Sequence, residues 1–358
     1  AGVDAYLVPR SDMFQGEYVA PQDERLAWLT GFTGSAGFAI VLKDKAALFS
    51  DGRYRVQLRA QCDGACFTFP DWPDTHAGDW LAQEGPCGIG FDPWLHPKAE
   101  TCALHARLGA GQSLKPLPNL VDRIWQDRPA PTPAPVRVHP FEFAGETSES
   151  KLARLGQIVT AAGAGAQILT LPESLSWLLN IRASDVAHNP VVQGCAILRF
   201  GAEPQITLFA EPLKFAALGP DPRITLAPMA EFEAALSALD LPVLVDPATA
   251  PLAVLAALRA PVVEADDPIL MLKACKNPHE IKGMEAAHLR DGVAMVRFLA
   301  WLERQEPASL TEIDVVRHLE TIRRETAQAM GSELLDISFD TICGAGPHGA
   351  IVHYRVSH

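Results

Sequence analysis

Apolar residues near the start of the chain fall in short runs parted by polar turns. Ala5-Tyr6-Leu7-Val8 reads as a strand, and residues 38–42 and 46–49, on either side of Lys43-Asp44-Lys45, read as a hairpin. A second hairpin is predicted from Cys195-Ala196-Ile197-Leu198, a turn around Gly201, and Ile206-Thr207-Leu208-Phe209. The same short pattern precedes each hairpin. Leu26-Ala27-Trp28-Leu29 leads through Phe32 to Ser35, and Leu175-Ser176-Trp177-Leu178 leads through Ile181 to Ser184. This repetition predicts two related α/β domains in tandem. Between them stands Arg128-Pro129-Ala130-Pro131-Thr132-Pro133-Ala134-Pro135, where fixed φ and missing donors favour extended chain. With a second break at Asp266-Asp267-Pro268, the expected domains are 1–130, 131–267 and 268–358.

Past residue 268 the period becomes helical. Asn277-Pro278-His279-Glu280 is a helix start, with an N-cap Asn, Pro at the first position and Glu at the third. Ile281, Met284, His288, Met295, Phe298, Leu299 and Leu302 then share one face, which makes His288 a core histidine. Ser309 and Glu312 form a capping-box pattern opening a second helix through Ile313, Val316 and Leu319. Residues 337–342 alternate as a strand, and residues 350–354 read as another. Two helices and one or two strands leave an apolar face poorly covered, so this third domain is expected to be incomplete at His358. The lack of an initiator Met points the same way at the other end.

Composition narrows the class. The 358 residues are 48% hydrophobic and 20% charged, enough for a core in each domain. A formal net charge of -13 argues against nucleic acid or an anionic membrane as partner. No apolar run approaches the roughly 18 residues of a membrane span, and no signal-peptide pattern opens the chain. Seven scattered cysteines fit reduced thiols better than a disulfide framework, and Cys62 with Cys66 lacks the second pair that a zinc site needs. The expectation is a cytoplasmic protein acting on small molecules or peptides.

Few motifs carry chemistry. Gly344-Ala345-Gly346-Pro347-His348-Gly349 spells a dinucleotide-binding pattern, but Pro347 removes a donor and the following residues read as strand, not helix. These glycines are expected to shape a tight loop. Just beyond lies His353, which by its residues alone is either a satisfied half-buried histidine or a cleft histidine suited to proton transfer or oxyanion contacts. Gly31-Phe32-Thr33-Gly34-Ser35-Ala36-Gly37 is expected to allow positive φ or close backbone approach. Asp51-Gly52-Arg53-Tyr54 reads as a turn entering a helix with Asp51 as its cap, and Arg182 with Asp185 as a pair holding a loop. Neither His-Glu-x-x-His nor Gly-x-Ser-x-Gly occurs.

Taken in order, these segments resemble the long, three-domain form of aminopeptidase P, the Xaa-Pro aminopeptidases of the creatinase/prolidase-like pita-bread family. The resemblance runs through Asp4-Ala5-Tyr6-Leu7-Val8-Pro9, Glu17-Tyr18-Val19-Ala20-Pro21, the turn from Gly31 to Gly37, and Asp51-Gly52-Arg53-Tyr54. It continues through Trp177-Leu178-Leu179-Asn180-Ile181-Arg182 with Ser184-Asp185, Asn189-Pro190-Val191, and Lys276-Asn277-Pro278-His279-Glu280-Ile281. It closes with His288-Leu289-Arg290-Asp291-Gly292 and Gly346-Pro347-His348-Gly349-Ala350-Ile351-Val352-His353-Tyr354. Each segment is weak by itself; their number and order are specific.

The resemblance implies an α/β fold, α+β overall: two tandem creatinase-N-like α/β domains followed by the beginning of a pita-bread catalytic domain. It implies a metallo-aminopeptidase that removes the residue before proline from short peptides with N-terminal Xaa-Pro. Two divalent metal ions, usually Mn2+, held by two Asp, one His and two Glu, would activate the attacking water. A homodimer is implied as well. His353 matches a family active-site histidine that contacts substrate, not metal. The family's metal ligands lie downstream of that histidine, so none is expected here, Asp336 and Asp340 included, and the 358 residues alone are expected to be inactive. Two other readings are a non-catalytic peptide-binding module, as in a histone chaperone subunit of related architecture, and a metal-free creatinase-type C–N hydrolase. The duplicated N-terminal region argues against the second, because creatinase has one such domain.

Overall fold

The computed structural model describes residues 2–131 and 134–356; Thr132 and Pro133 of the proline-rich stretch, and the terminal His358, lie outside the described residues. The chain divides into two compact units. The first holds most of the chain to Ala274, and the second gathers Pro140–Gly145, Ala187–Asn189 and the residues from Cys275 onward.

Two six-stranded mixed sheets build the first unit. One comprises β1 (Ala5–Pro9), β2 (Phe38–Leu42), β3 (Ala46–Phe49), β4 (Phe67–Thr68), β5 (Gly88–Phe91) and β6 (Ser113–Pro116), in the spatial order β4-β3-β2-β1-β5-β6. Next along the chain, β7 (Arg137–Val138) pairs with β9 (Ile181–Arg182) as a separate ribbon. The other sheet comprises β8 (Ala166–Leu169), β10 (Cys195–Arg199), β11 (Gln205–Phe209), β12 (Ile224–Ala227), β13 (Val243–Val245) and β14 (Val262–Glu264), in the order β12-β11-β10-β8-β13-β14. Strand for strand the two orders are the same. The central pairs β1/β2 and β8/β10 and the hairpins β2/β3 and β10/β11 are antiparallel. The flanking pairs are parallel in both sheets. The two tandem α/β domains expected from the repeated pattern are present.

Period-two alternation gives each sheet two buried faces. In β10, Ala196 and Leu198 join one cluster with Leu152, Leu155 and Val159 of the helix Ser148–Ala161, while Cys195 and Ile197 join another with Phe232 and Leu236. In the first sheet, Tyr6 and Val8 pack on one side and Ala5 and Leu7 on the other. Central strands covered on both faces are apolar along most of their length; the exceptions are Gln167 of β8, whose Nε2 donates to Asp267, and Arg199 at the end of β10.

The repeated Leu-x-Trp-Leu lies in a helix that ends in a left-handed residue in both copies. Arg25–Thr30 stops at Gly31, φ 78, and Pro172–Leu179 stops at Asn180, φ 52; glycine and asparagine are the residues that adopt this cap at least cost. Leu26 and Leu175 then reach the same place in their own copy. Each lies against the glycine that opens the following strand, Gly37 or Gly194. A Cβ on Gly37 would stand 2.7 Å from the Phe49 carbonyl oxygen, and one on Gly194 would stand 2.8 Å from that of Phe209. Both glycines are therefore required for strand approach. In the second copy Gly194 lies ten positions after Ser184, where in the first Gly37 lies two positions after Ser35, and this insertion carries His188.

The two sheets share one unit because the first copy completes the core of the second. Phe14, with Met13 and Trp94, packs into the cluster of Ile168, Cys195, Phe209 and Phe232. Amides of Ala99, Leu252 and Ala253 donate to the carbonyls of Pro247, His96 and Pro93 across the same boundary. Beside Phe14 the Asp12 carboxylate is enclosed; it accepts the Phe14 N–H at 2.9 Å and Gln193 Nε2 at 3.3 Å. Burial, then Asp23, pushes its pKa up to about 7.

Two local expectations are corrected, Asp51 as a helix cap and Arg182 with Asp185 as a pair. Asp51 does not cap a helix; it accepts the Arg53 N–H and pairs with the Arg53 guanidinium, and the helix Arg55–Gln61 begins after Tyr54. Asp185 is buried against Lys214, while Arg182 donates to the carbonyls of Ser176 and Ile181. All seven cysteines are unpaired. Among the described residues, no helix is long and apolar enough to cross a membrane.

Candidate functional site

The second unit is organised by two helices. Pro278–Leu302 opens on the expected capping box, with Asn277 Oδ1 accepting the amides of His279 and Glu280 while Glu280 Oε2 accepts the Asn277 N–H. Ala294 and Phe298 bury against Leu319 and Ile322 of the helix Glu312–Ala329. Arg297 with Glu325, and Arg323 with Asp291, bridge the pair.

The second helix starts differently from the sequence expectation. Its capping box is Thr311 with Asp314, and Ser309 lies in the preceding turn Pro307–Ser309. The Glu312 carboxylate is thereby freed. It accepts the Ala345 N–H at 2.5 Å and the Tyr354 hydroxyl at 2.9 Å. His348 Nδ1 lies 3.0 Å from each of its oxygens, and the His348 ring stacks on Tyr354 with centroids 4.4 Å apart. A carboxylate is acceptor-only, so Nδ1 is the donor here. The Ala345 amide first, then Tyr354 and His348, hold the Glu312 carboxyl below the usual carboxylate range.

The two strands predicted after the helices are absent. Residues 337–342 run as irregular chain, Gly346–Ala350 is a 3₁₀ turn, and residues 352–353 form a further turn. Alternation alone cannot make a strand. Its amides need a partner strand, and none lies beside these residues among those described. His353 thus sits in a turn, exposed, with left-handed backbone at φ 52. A cleft of about 890 Å³ opens between the helices and this segment, lined by His288, Asp291, Phe298, Arg323, Asp336 and Phe339 among others; His353 is not in its wall. His288 is exposed at that cleft with Nδ1 2.8 Å from the Met284 carbonyl, so it is not the core residue that helical spacing predicts.

His188 gathers acidic groups that sequence spacing did not reveal. Its Nδ1 lies 3.1 Å from the Ile337 carbonyl oxygen and 3.5 Å from Asp336 Oδ1, and its Nε2 lies 3.2 Å from Asp340 Oδ1. Arg355 pairs with Asp340 at 2.6 Å. The implied metal pair does not fit this set. The ring nitrogens diverge and each faces a different carboxylate, whereas ligands must converge on one point about 2 Å away. Among the described residues no group of three or more His, Cys, Asp or Glu could hold a metal ion.

The sequence carried one overlooked clue to Glu312. Ser309…Glu312 and Thr311…Asp314 are overlapping capping patterns, and only one can cap the helix. His188 left no comparable signal, because its partners lie about 150 residues away.

Comparison with known proteins assigns the architecture. Residues 1–124 and 127–280 each match a creatinase/prolidase N-terminal domain, and residues 282–358 match metallopeptidase family M24. The chain is similar to aminopeptidase P2 of Arabidopsis thaliana, 34% identical over 406 aligned positions, covering 99% of this chain and 55% of that relative. It is also similar to the crystal structure of X-prolyl aminopeptidase from Caenorhabditis elegans, described as a cytosolic enzyme with a di-nuclear active site. There the TM-score is 0.88 at 30% identity, covering 98% of this chain and 60% of that one. The chain thus spans little more than half the length of these relatives. Two creatinase/prolidase N-terminal domains on the same strand order, the beginning of an M24 domain, and similarity along the whole chain to aminopeptidase P relatives together make this chain a member of the Xaa-Pro aminopeptidase P family.

Proposed function

We propose that the complete protein is a cytoplasmic, homodimeric Xaa-Pro aminopeptidase, which removes the first residue of short peptides whose second residue is proline. The observation that carries this reading is similarity along the whole chain, in one order of domains, to aminopeptidase P relatives. The reaction class is hydrolysis by a water activated between two divalent ions, manganese by preference, with the ligands supplied by sequence beyond these residues. His353 contacts the substrate in this reading, and working divisions at 130 and 267 separate the three domains.

The test uses the full-length protein and a peptide with N-terminal Xaa-Pro. Turnover should be stimulated by manganese, abolished by chelation and restored on adding the metal back, and calorimetry on the 358 residues alone should show no tight manganese site. Undiminished turnover after rigorous metal removal would sink the two-metal reading. Binding of Xaa-Pro peptides without turnover under any metal would instead mark a peptide-binding module.

A further inference from the structure

Glu312 ties down the segment that carries His353. The Ala345 amide enters this ten-residue segment and the Tyr354 hydroxyl leaves it, and both donate to the same carboxylate. His348, between them, reaches both oxygens. One side chain therefore closes the segment at its two ends and holds its middle. His353 directly precedes Tyr354 and has left-handed backbone, a conformation that a residue with a Cβ keeps only where its surroundings over-determine it. Glu312 is itself well placed to supply that constraint. It occupies the first position of an 18-residue helix whose cap is provided by Thr311 and Asp314, so its backbone does not depend on the bonds its side chain makes.

We propose that Glu312 is a positioning residue for His353, setting where that histidine meets the peptide substrate by clamping Ala345, His348 and Tyr354. The proposal rests on the reading of His353 as a substrate contact. It adds a requirement that the reading lacks: substitution of a residue that touches no substrate should impair turnover only through the histidine. A contact displaced by about 1 Å can lose up to about 100-fold in rate, and positioning groups work by preventing such displacement.

The experiment is a double-mutant cycle in the full-length, manganese-loaded protein, following kcat and KM on an Xaa-Pro peptide together with metal content. Glu312→Ala should lower kcat about 10- to 100-fold with metal content unchanged. In a His353→Ala background, the same change should cost less than about two-fold, because the group it positions is gone. Losses that multiply in the double variant overturn the proposal while leaving His353 its role, and so does loss of bound metal in Glu312→Ala. His353→Ala with wild-type kcat and KM overturns the reading of His353 itself, and the clamp with it. If Glu312→Ala fails to fold, Tyr354→Phe removes one of the three donors. It should lower kcat a few-fold, and that loss should disappear in the His353→Ala background; persistence of the loss there overturns the proposal.

Discussion

A carboxyl enclosed as Asp12 is, at 1% exposure, holds its proton to a far higher pH than it would in water. Its folded pKa of about 7 lies above the unfolded value near 4. Across that window the folded chain keeps a proton that the unfolded chain releases, so stability must fall as pH rises from about 4 to about 7, by up to about 4 kcal/mol. Asp23 adds to the upward shift, while Arg25 and the amides of Phe14 and Gly16 oppose it. Urea denaturation at pH 5 and pH 8 should show about two-thirds of this loss in the wild type and a smaller one in Asp12→Asn. Equal losses would mean that another group sets the slope. At this scale the sequence was least legible. Glu312 fitted a capping pattern that the helix did not use, and His353 fitted a strand that lacked a partner. In both cases the deciding contact was with residues distant in sequence, which periodicity does not register.

Elements were more legible, for a physical reason. The hairpins β2/β3 and β10/β11 are closed by pairings no wider than Cys195 with Phe209, and the helices ending at Gly31 and Asn180 by cap bonds to the preceding turn, so local alternation and cap chemistry specify them. The short strand β13 depends on β8, 77 residues earlier at Val243 against Ala166, and left no comparable trace. The glycine before each hairpin offers a paired test. Gly37→Ala and Gly194→Ala should each destabilise by about 1–3 kcal/mol, because the new methyl meets a backbone carbonyl inside a sheet, which cannot swing aside as a side chain could. Matching losses of denaturation midpoint would tie the two copies together energetically as well as in topology. A tolerated Gly194→Ala would show that the insertion lets the second copy relax.

At the scale of the molecule, the long helix Pro278–Leu302 leaves Leu289, Val296 and Leu299 more than half exposed. Such an apolar stripe on a water-facing helix marks a face for covering by other protein. The 358-residue chain by itself should bind an apolar-surface dye several-fold more strongly, molecule for molecule, than the full-length protein; equal binding would mean that the stripe faces solvent in both. The apolar packing of Phe14 in the second copy's core carries a different kind of consequence, one of timing. A ribosome releases Phe14 long before Ile168, Phe209 or Phe232, so for most of synthesis its final surroundings do not exist. The N-terminal strand can pair within the first copy early, while the loop beside it must wait, uncommitted, until the second sheet has emerged. The core of the second copy is therefore closed by a loop that was made long before that copy, and the last step of its assembly belongs to the earlier part of the chain.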